Sequence, residues 1–211
     1  MLLIVGLGNP GQEYAAHRHN VGFMAFDELA SRVGAEAFRE KFSGEWARCE
    51  IAGEPAILLK PQTYMNESGR SVQAAVAFFK SAPGELVILH DELDIPFGEV
   101  RLKQGGGHAG HNGLRSIMGV GAGDFCRVRV GIGRPPPGFR GEIADFVLSN
   151  FDATQRAALP DLLNKAGDSI LDIARRSFDA AMNARNTKPR PPKPPKAEAP
   201  PKGENGAGSG S

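Results

Sequence analysis

Leu2-Leu3-Ile4-Val5-Gly6-Leu7, followed at once by Gly8, Pro10 and Gly11, is the stretch on which the fold turns. A short continuous apolar run that stops at glycine and proline reads as a buried strand entering a loop. The run from Met1 to Leu7 is far too short to span a bilayer and lacks the basic flank of a signal peptide. It therefore implies a soluble, cytoplasmic chain with no membrane partner.

Working outward, Phe23, Phe26, Leu29, Ala30 and Val33 recur at helical spacing, and Gly34 ends that helix. WARCEIA (46–52) and AILLK (56–60) flank Gly53-Glu54-Pro55 as a hairpin, and Pro61 closes its second strand. Val72, Ala75, Val76 and Phe79 put an apolar stripe on a second helix that starts near Asn66 to Ser68. LVILH (86–90) is another buried strand, ending at the acidic loop DELDIPFG. VRLKQ and, after a glycine-rich segment, FCRVRVGIG supply two more. Asp152 with Gln155 makes a capping-box start, Pro160 interrupts or restarts the helix, and Leu163, Ala166, Ile170, Ile173 and Ala174 carry a long C-terminal helix. Strands alternating with helices predict a single α/β domain, a mixed, largely parallel twisted sheet flanked by helices.

The chain has 211 residues, 41% hydrophobic and 23% charged, enough for one well-packed domain and short for two. That domain is expected to span residues 1–186. From Thr187 to Ser211 the chain is rich first in Pro and Lys, then in Gly and Ser, and has nothing to bury, which predicts a disordered tail. The tail holds five Lys/Arg against two Asp/Glu, so of the 25 basic and 24 acidic residues the rest keeps 20 and 22. Overall charge therefore gives no nucleic-acid signal, and such binding has to come from a local cluster. Cys49 and Cys126 each sit in an apolar-alternating stretch and are expected to be buried, reduced thiols; no zinc-type spacing exists.

Gly6-Leu7-Gly8-Asn9-Pro10-Gly11 formally matches the dinucleotide fingerprint GxGxxG after a strand. The context fails: Pro10 removes a donor, QEYAAHRHN shows no helical period, and Asp27 and Glu28 fall within the first helix instead of ending a second strand. Polar groups gather instead just after strands or before helices: Asn9, His19, Asn20, Asn66, Asp91 and Asn112. In an open α/β sheet that edge is where ligands bind. Such a set suits acyl transfer to water. A histidine takes a proton from water, a carboxylate on its other nitrogen fixes the tautomer, and carboxamides orient a peptide or support an oxyanion. No G-x-S-x-G elbow supports a serine nucleophile. On these residues alone His19 reads equally as a solvated or capping residue, Asp91 as a turn cap, and the asparagines as ordinary loop and helix-start residues.

LIVGLGNPGQEYAAHRHNVG, KPQTYMNESG, HDELDIPFG and GGGHAGHNGLRSI, in that order, closely resemble the blocks of bacterial peptidyl-tRNA hydrolases, over residues 2 to about 185. The resemblance implies an enzyme that cuts the ester joining a peptide to the 3′ end of tRNA, acting as a monomer without metal or organic cofactor. It implies His19 as catalytic base, Asp91 as its partner, Asn9 and Asn66 near the scissile ester, and Asn112 as a further substrate contact. Tyr14 and Tyr64 would border the cleft, and Lys103 and Arg129 would hold the terminal phosphate of the acceptor end. Strand alternation in FCRVRVG independently puts Phe125, Arg127 and Arg129 on one face, which makes that face basic; without the resemblance it reads equally as a solvated strand face. Two departures stand out. His17 replaces the small hydroxyl residue usual two positions before the base, which bears on the pH profile, and Tyr64 stands where many members have Phe. Two rivals come from the residues: a metallohydrolase using His90, Asp91, His108 and His111, and a non-catalytic RNA-binding module.

Overall fold

The apolar run becomes β1 (Leu2–Gly6), the middle strand of a seven-stranded sheet, in a computed structural model that describes residues 1–187. β1 pairs in parallel with β4 (Glu54–Pro61), Leu3 opposite Ile57, and in parallel with β5 (Leu86–Glu92), Ile4 opposite Val87. With β2 (Arg39–Lys41), β3 (Gly44–Ile51), β6 (Val100–Gln104) and β7 (Cys126–Gly131) the order is β2-β3-β4-β1-β5-β7-β6. β4, β1, β5 and β7 run parallel, while β2, β3 and β6 are antiparallel to their neighbours.

Alternate strand residues feed two cores. On one face Ile4, Leu58, Val87 and Val128 pack with α1 (Val21–Arg32) and α5 (Ala153–Arg176). On the other, Leu3, Val5, Ile57, Ile88 and Phe125 pack with α2 (Ser68–Phe79) and α3 (Asn112–Gly119). Each fully buried Leu or Ile contributes roughly 1.5–3 kcal/mol. β1, with Leu3, Ile4 and Val5 all fully buried, therefore ties both cores to one strand. This is the single α/β domain expected from the sequence.

The glycines of the fingerprint-like run serve packing. α1 starts at Val21, well past them, and a Cβ on Gly8 would lie 2.5 Å from Cγ of Phe23, one on Gly6 2.6 Å from Cβ of Phe26. Their absent side chains let α1 lie on the end of β1.

Several boundaries differ from expectation. The β3–β4 turn is Ala52-Gly53, both at positive φ, so Glu54 and Pro55 already belong to β4. β5 runs on to Glu92, which places Asp91 on a strand and not in a loop. α5 passes through Pro160 without a break: Pro160 is exposed, and water can satisfy the carbonyl its ring leaves unpaired. Ser177, at φ 145°, separates α5 from a further helix, α6 (Phe178–Asn186), and α4 (Ile143–Val147) precedes them. Asp152 does cap α5, its Oδ1 accepting from the Gln155 N–H at 2.8 Å. Thr187, the first residue of the expected tail, follows α6 with its hydroxyl donating to the Asn183 carbonyl. The disorder expected of the remaining tail lies outside the described residues. Cys49 is half-buried and Cys126 buried, both free, and burial pushes their thiols up to about 11 and about 12.

Candidate active site

The four parallel strands end on one edge of the sheet, and the chain reverses its direction of strand addition about β1, leaving a crevice between the loops. A cleft of about 900 Å³ opens there. Its lining includes all nine residues that the family resemblance implies for the site, Asn9, Tyr14, His19, Tyr64, Asn66, Asp91, Lys103, Asn112 and Arg129, but not Asn20.

His19 lies on a single 3-10 turn, Arg18–Asn20, immediately before α1, and is buried. Its Nδ1 is 2.8 Å from Oδ1 of Asp91, near the end of β5. The same oxygen lies 2.9 Å from Nε2 of His111. His111 caps α3: its Nδ1 accepts the N–H groups of Gly113 and Leu114 at 3.1 and 3.3 Å, which leaves its proton on Nε2, facing Asp91. Asp91 thus accepts two N–H donors on one oxygen. Burial alone would raise its pKa, but the two imidazoles outweigh that and hold it well below the carboxylate range. For His19, burial opposes the charged ring, yet the charge and hydrogen bond of Asp91 prevail and raise its pKa above the ordinary value. Nδ1 carries the proton toward Asp91, so Nε2 is the basic nitrogen.

Asn9 follows β1 and is held rigidly. Its N–H donates to Asn20 Oδ1 and its carbonyl accepts from Asn20 Nδ2, both at 2.9 Å. Its Oδ1 accepts the Met65 N–H at 2.8 Å, which fixes the carboxamide orientation and leaves Nδ2 without an acceptor among the described residues. Asn66 and Asn112 are exposed in the cleft, and Tyr14 meets Tyr64 edge to face at 6.5 Å between ring centroids. α4 adds an apolar wall, Ile143 and Leu148 lying in the cleft lining although 44% and 41% exposed. No periodic pattern in the sequence announced this wall.

On the basic face Arg127 and Arg129 both line the cleft, and the solvated alternative fails at Arg127. Arg127 is not solvated: it is 3% exposed and donates to the carbonyls of Gly106 and Gly107, pinning the glycine-rich loop that leads to His111. β7 is an interior strand, so its polar alternation does not mark a wet face. Lys103 is exposed and makes no ion pair with a described residue. Arg129 is half-buried, with Nε and Nη2 each 2.9 Å from Oε2 of Glu92. Arg115 and Arg134 also line the cleft and were not anticipated.

The metal-site grouping drawn from the sequence is also redrawn. Among the described residues only His19, Asp91 and His111 bring donor atoms together, within 4.8 Å. His108 turns to its own loop, accepting from the Gly110 N–H. His90 is buried with Nδ1 2.7 Å from the Asp91 carbonyl oxygen, and burial drives its pKa down to about 3. The H-x-x-H spacing therefore forms no common face.

Fold and site define a class: an open, doubly covered α/β sheet whose edge cleft holds an imidazole oriented by a buried carboxylate. More narrowly, the chain belongs to the peptidyl-tRNA hydrolase family, whose profile matches residues 3–193. It is 71% identical over 199 residues to a peptidyl-tRNA hydrolase of Sorangium cellulosum, covering 94% of this chain and 89% of that one. It is 50% identical over 187 residues to one of Geotalea daltonii, covering 88% and 96%. A crystal structure of peptidyl-tRNA hydrolase from Acinetobacter baumannii superposes with a TM-score of 0.81 at 40% identity, covering 89% of this chain and 95% of that one. The family match runs past residue 185, where the sequence blocks alone ended the likeness.

Proposed function

We propose that His19, oriented by Asp91, activates a water molecule for attack on the ester of peptidyl-tRNA. Membership of the family makes the chain a hydrolase of peptidyl-tRNA. The observation that carries the mechanism is the 2.8 Å contact between His19 Nδ1 and Asp91 Oδ1 at the floor of the cleft. Nε2 takes a proton as the water oxygen bonds to the ester carbonyl carbon, and the carbonyl oxygen becomes an oxyanion. Asn9 Nδ2, held by the Met65 N–H on its own Oδ1, supports that charge. When the carbon–oxygen bond to the ribose breaks, His19 returns the proton to the leaving oxygen, giving a free peptide acid and a reusable tRNA.

Asp91 and His111 have separate parts. The carboxylate stabilises the imidazolium, and His111, its tautomer fixed by the start of α3, holds the carboxylate in place. Asn66 and Asn112 read the peptide amide behind the ester, because a site built to hydrogen-bond a group loses binding when the group is absent, and so aminoacyl-tRNA is spared. Lys103 and Arg129 take the terminal phosphate of the acceptor end; Arg129 keeps Nη1 for it while Nε and Nη2 hold Glu92.

Every group the mechanism uses lies between Asn9 and Arg129, within the proposed catalytic domain of residues 1–186, which we read as a monomer. No described helix is long and apolar enough to cross a membrane, and the cytoplasm, where peptidyl-tRNA arises, is the proposed compartment. The test mixes the protein with purified peptidyl-tRNA and aminoacyl-tRNA and follows free tRNA, with and without exhaustive chelation. Selective, chelator-resistant cleavage supports the reading; cleavage lost to chelation and restored by metal would transfer His19, Asp91 and His111 to a metal site.

A further inference from the structure

His19 is the middle of three consecutive buried polar residues, each tied to a different part of the fold. His19 reaches β5 through Asp91, and Asn20 is paired with the backbone of Asn9 after β1. Arg18 turns toward the segment joining α4 to α5. Its Nη1 donates to the Ser149 carbonyl and hydroxyl at 3.3 and 2.7 Å and to the Asn150 carbonyl; its Nη2 donates to Gln155 Oε1 at 2.8 Å. The guanidinium stacks 4.5 Å from the Phe146 ring and 5.3 Å from that of Phe151. The backbone adds two ties, the Arg18 N–H to the Ser149 carbonyl at 3.0 Å and an isolated antiparallel bridge between His17 and Asn150.

All of these acceptors are neutral and the guanidinium makes no direct ion pair among the described residues; burial lowers its pKa, and the charge of the nearby Asp152 offsets that only in part. A hydrophobic residue between Phe146 and Phe151 would serve packing at lower cost. What it could not supply is a planar fork of donors that fixes one segment against another in a single geometry. The segment so fixed continues α4, and Ala144 and Val147 of that helix, with Leu148 just after it, line the cleft.

We propose that Arg18 is a positioning residue, locking the α4 wall of the cleft to the turn that presents His19, so that base and wall meet the substrate in one register. The inference rests on His19 being the general base. His19 faces the Asp91 carboxylate from β5 and the His111 ring from the start of α3. A loosened turn lengthens the contact with the carboxylate. Turnover then falls, and the acid limb of the pH profile moves to lower pH. A residue that merely fills space would change the melting temperature and neither of these.

The experiment compares Arg18→Lys, Gln155→Ala, their combination and Gln155→Glu as folded, full-length proteins. Arg18→Lys keeps the charge and replaces the fork by a single nitrogen, lowering kcat by about 10- to 100-fold, the scale of a small misplacement remote from the chemistry. Gln155→Ala, outside the cleft, removes one arm of the fork and moves kcat and the acid limb the same way by less. The double variant is no slower than Arg18→Lys, because both break one link. Gln155→Glu keeps an acceptor for Nη2 and keeps wild-type kinetics. A folded Gln155→Ala with wild-type kcat and acid limb overturns the inference whether or not Arg18→Lys folds, and so do strictly additive effects. His19→Ala run alongside separates the two claims: if it retains turnover, the general-base reading fails, whereas its inactivity beside a wild-type Gln155→Ala sinks only the role of Arg18.

Discussion

Replacing Asp91 by Asn removes one charge from the site and almost nothing else. Both contacts to this side chain fall on Oδ1, from His19 Nδ1 at 2.8 Å and His111 Nε2 at 2.9 Å. His111 can only donate there, since its Nδ1 already accepts two backbone N–H groups. It therefore selects the rotamer of the substituted carboxamide that keeps the amide oxygen in place, and His19 keeps its tautomer. The effect is then electrostatic. At a separation of about 4 Å and an effective dielectric of about 20, a carboxylate stabilises an imidazolium by about 4 kcal/mol, close to three factors of ten. The transition state carries only part of that charge, so Asp91→Asn should lower kcat by about 10²- to 10³-fold. The pH profile moves as well. With the carboxylate gone, burial is the force left acting on His19, and its raised pKa falls, carrying the acid limb down with it. Single-turnover hydrolysis of peptidyl-tRNA between pH 5 and 9 at fixed salt measures both quantities. A rate within about threefold of wild type, or an acid limb that stays put or moves up, would refute the charge argument.

His19→Ala should lower kcat by about 10²- to 10⁴-fold with tRNA affinity nearly intact by filter binding; weakened binding with normal turnover would remove it from the chemistry. Lys103→Ala should chiefly raise KM and flatten the salt dependence of binding by about one unit of log–log slope. Arg129→Ala should raise KM further, because it also leaves Glu92 unpaired beside the phosphate; identical salt slopes in wild type and both variants would place the phosphate elsewhere. Acid should unfold the protein early: His90, at about 3 when folded, takes up a proton only in the unfolded chain between roughly pH 6.5 and 3, so stability present at neutral pH is lost as pH falls through that window. Urea unfolding of His90→Leu should show a flatter decline over the same range, and an equally steep one would refute the assignment to His90, because Asp91, whose lowered pKa acts with the same sign, loses its contribution only as pH falls below the ordinary carboxylate range. Removing residues 188–211, which carry a net +3, should leave the melting temperature and kcat unchanged and raise KM a few-fold only at low ionic strength; a melting temperature lowered by several degrees would show the tail docked on the domain.

The parts of this molecule that were legible in the sequence are those whose physics is local. β1 showed itself because a strand covered on both faces needs an unbroken apolar run, and Asp152 with Gln155 because a capping box is written in two residues three apart. α3 did not, since its Leu114 and Ile117 make too short a stripe to register between glycines. Arg127 misled for a related reason: alternation gives the face of a side chain and not the depth of its strand, and β7 turned out to be an interior strand. At the site the divide is sharper. His19 and Asp91 are 72 positions apart, and no spacing rule joins them; the family blocks did so by likeness, and the parallel pairing of β1 with β5 does so physically. His111 was seen only as half of an H-x-x-H pair, because its real partners, the two N–H groups of Gly113 and Leu114, exist only once α3 has formed. Arg18 was passed over for the same cause, its acceptors lying more than 130 positions away. Residues that touch the substrate can announce themselves by chemical type, but residues that hold those groups in place do so through contacts that folding creates. On the proposed mechanism it is this second set, His111 and Arg18, that would make a loop histidine a base with a fixed tautomer and a fixed direction.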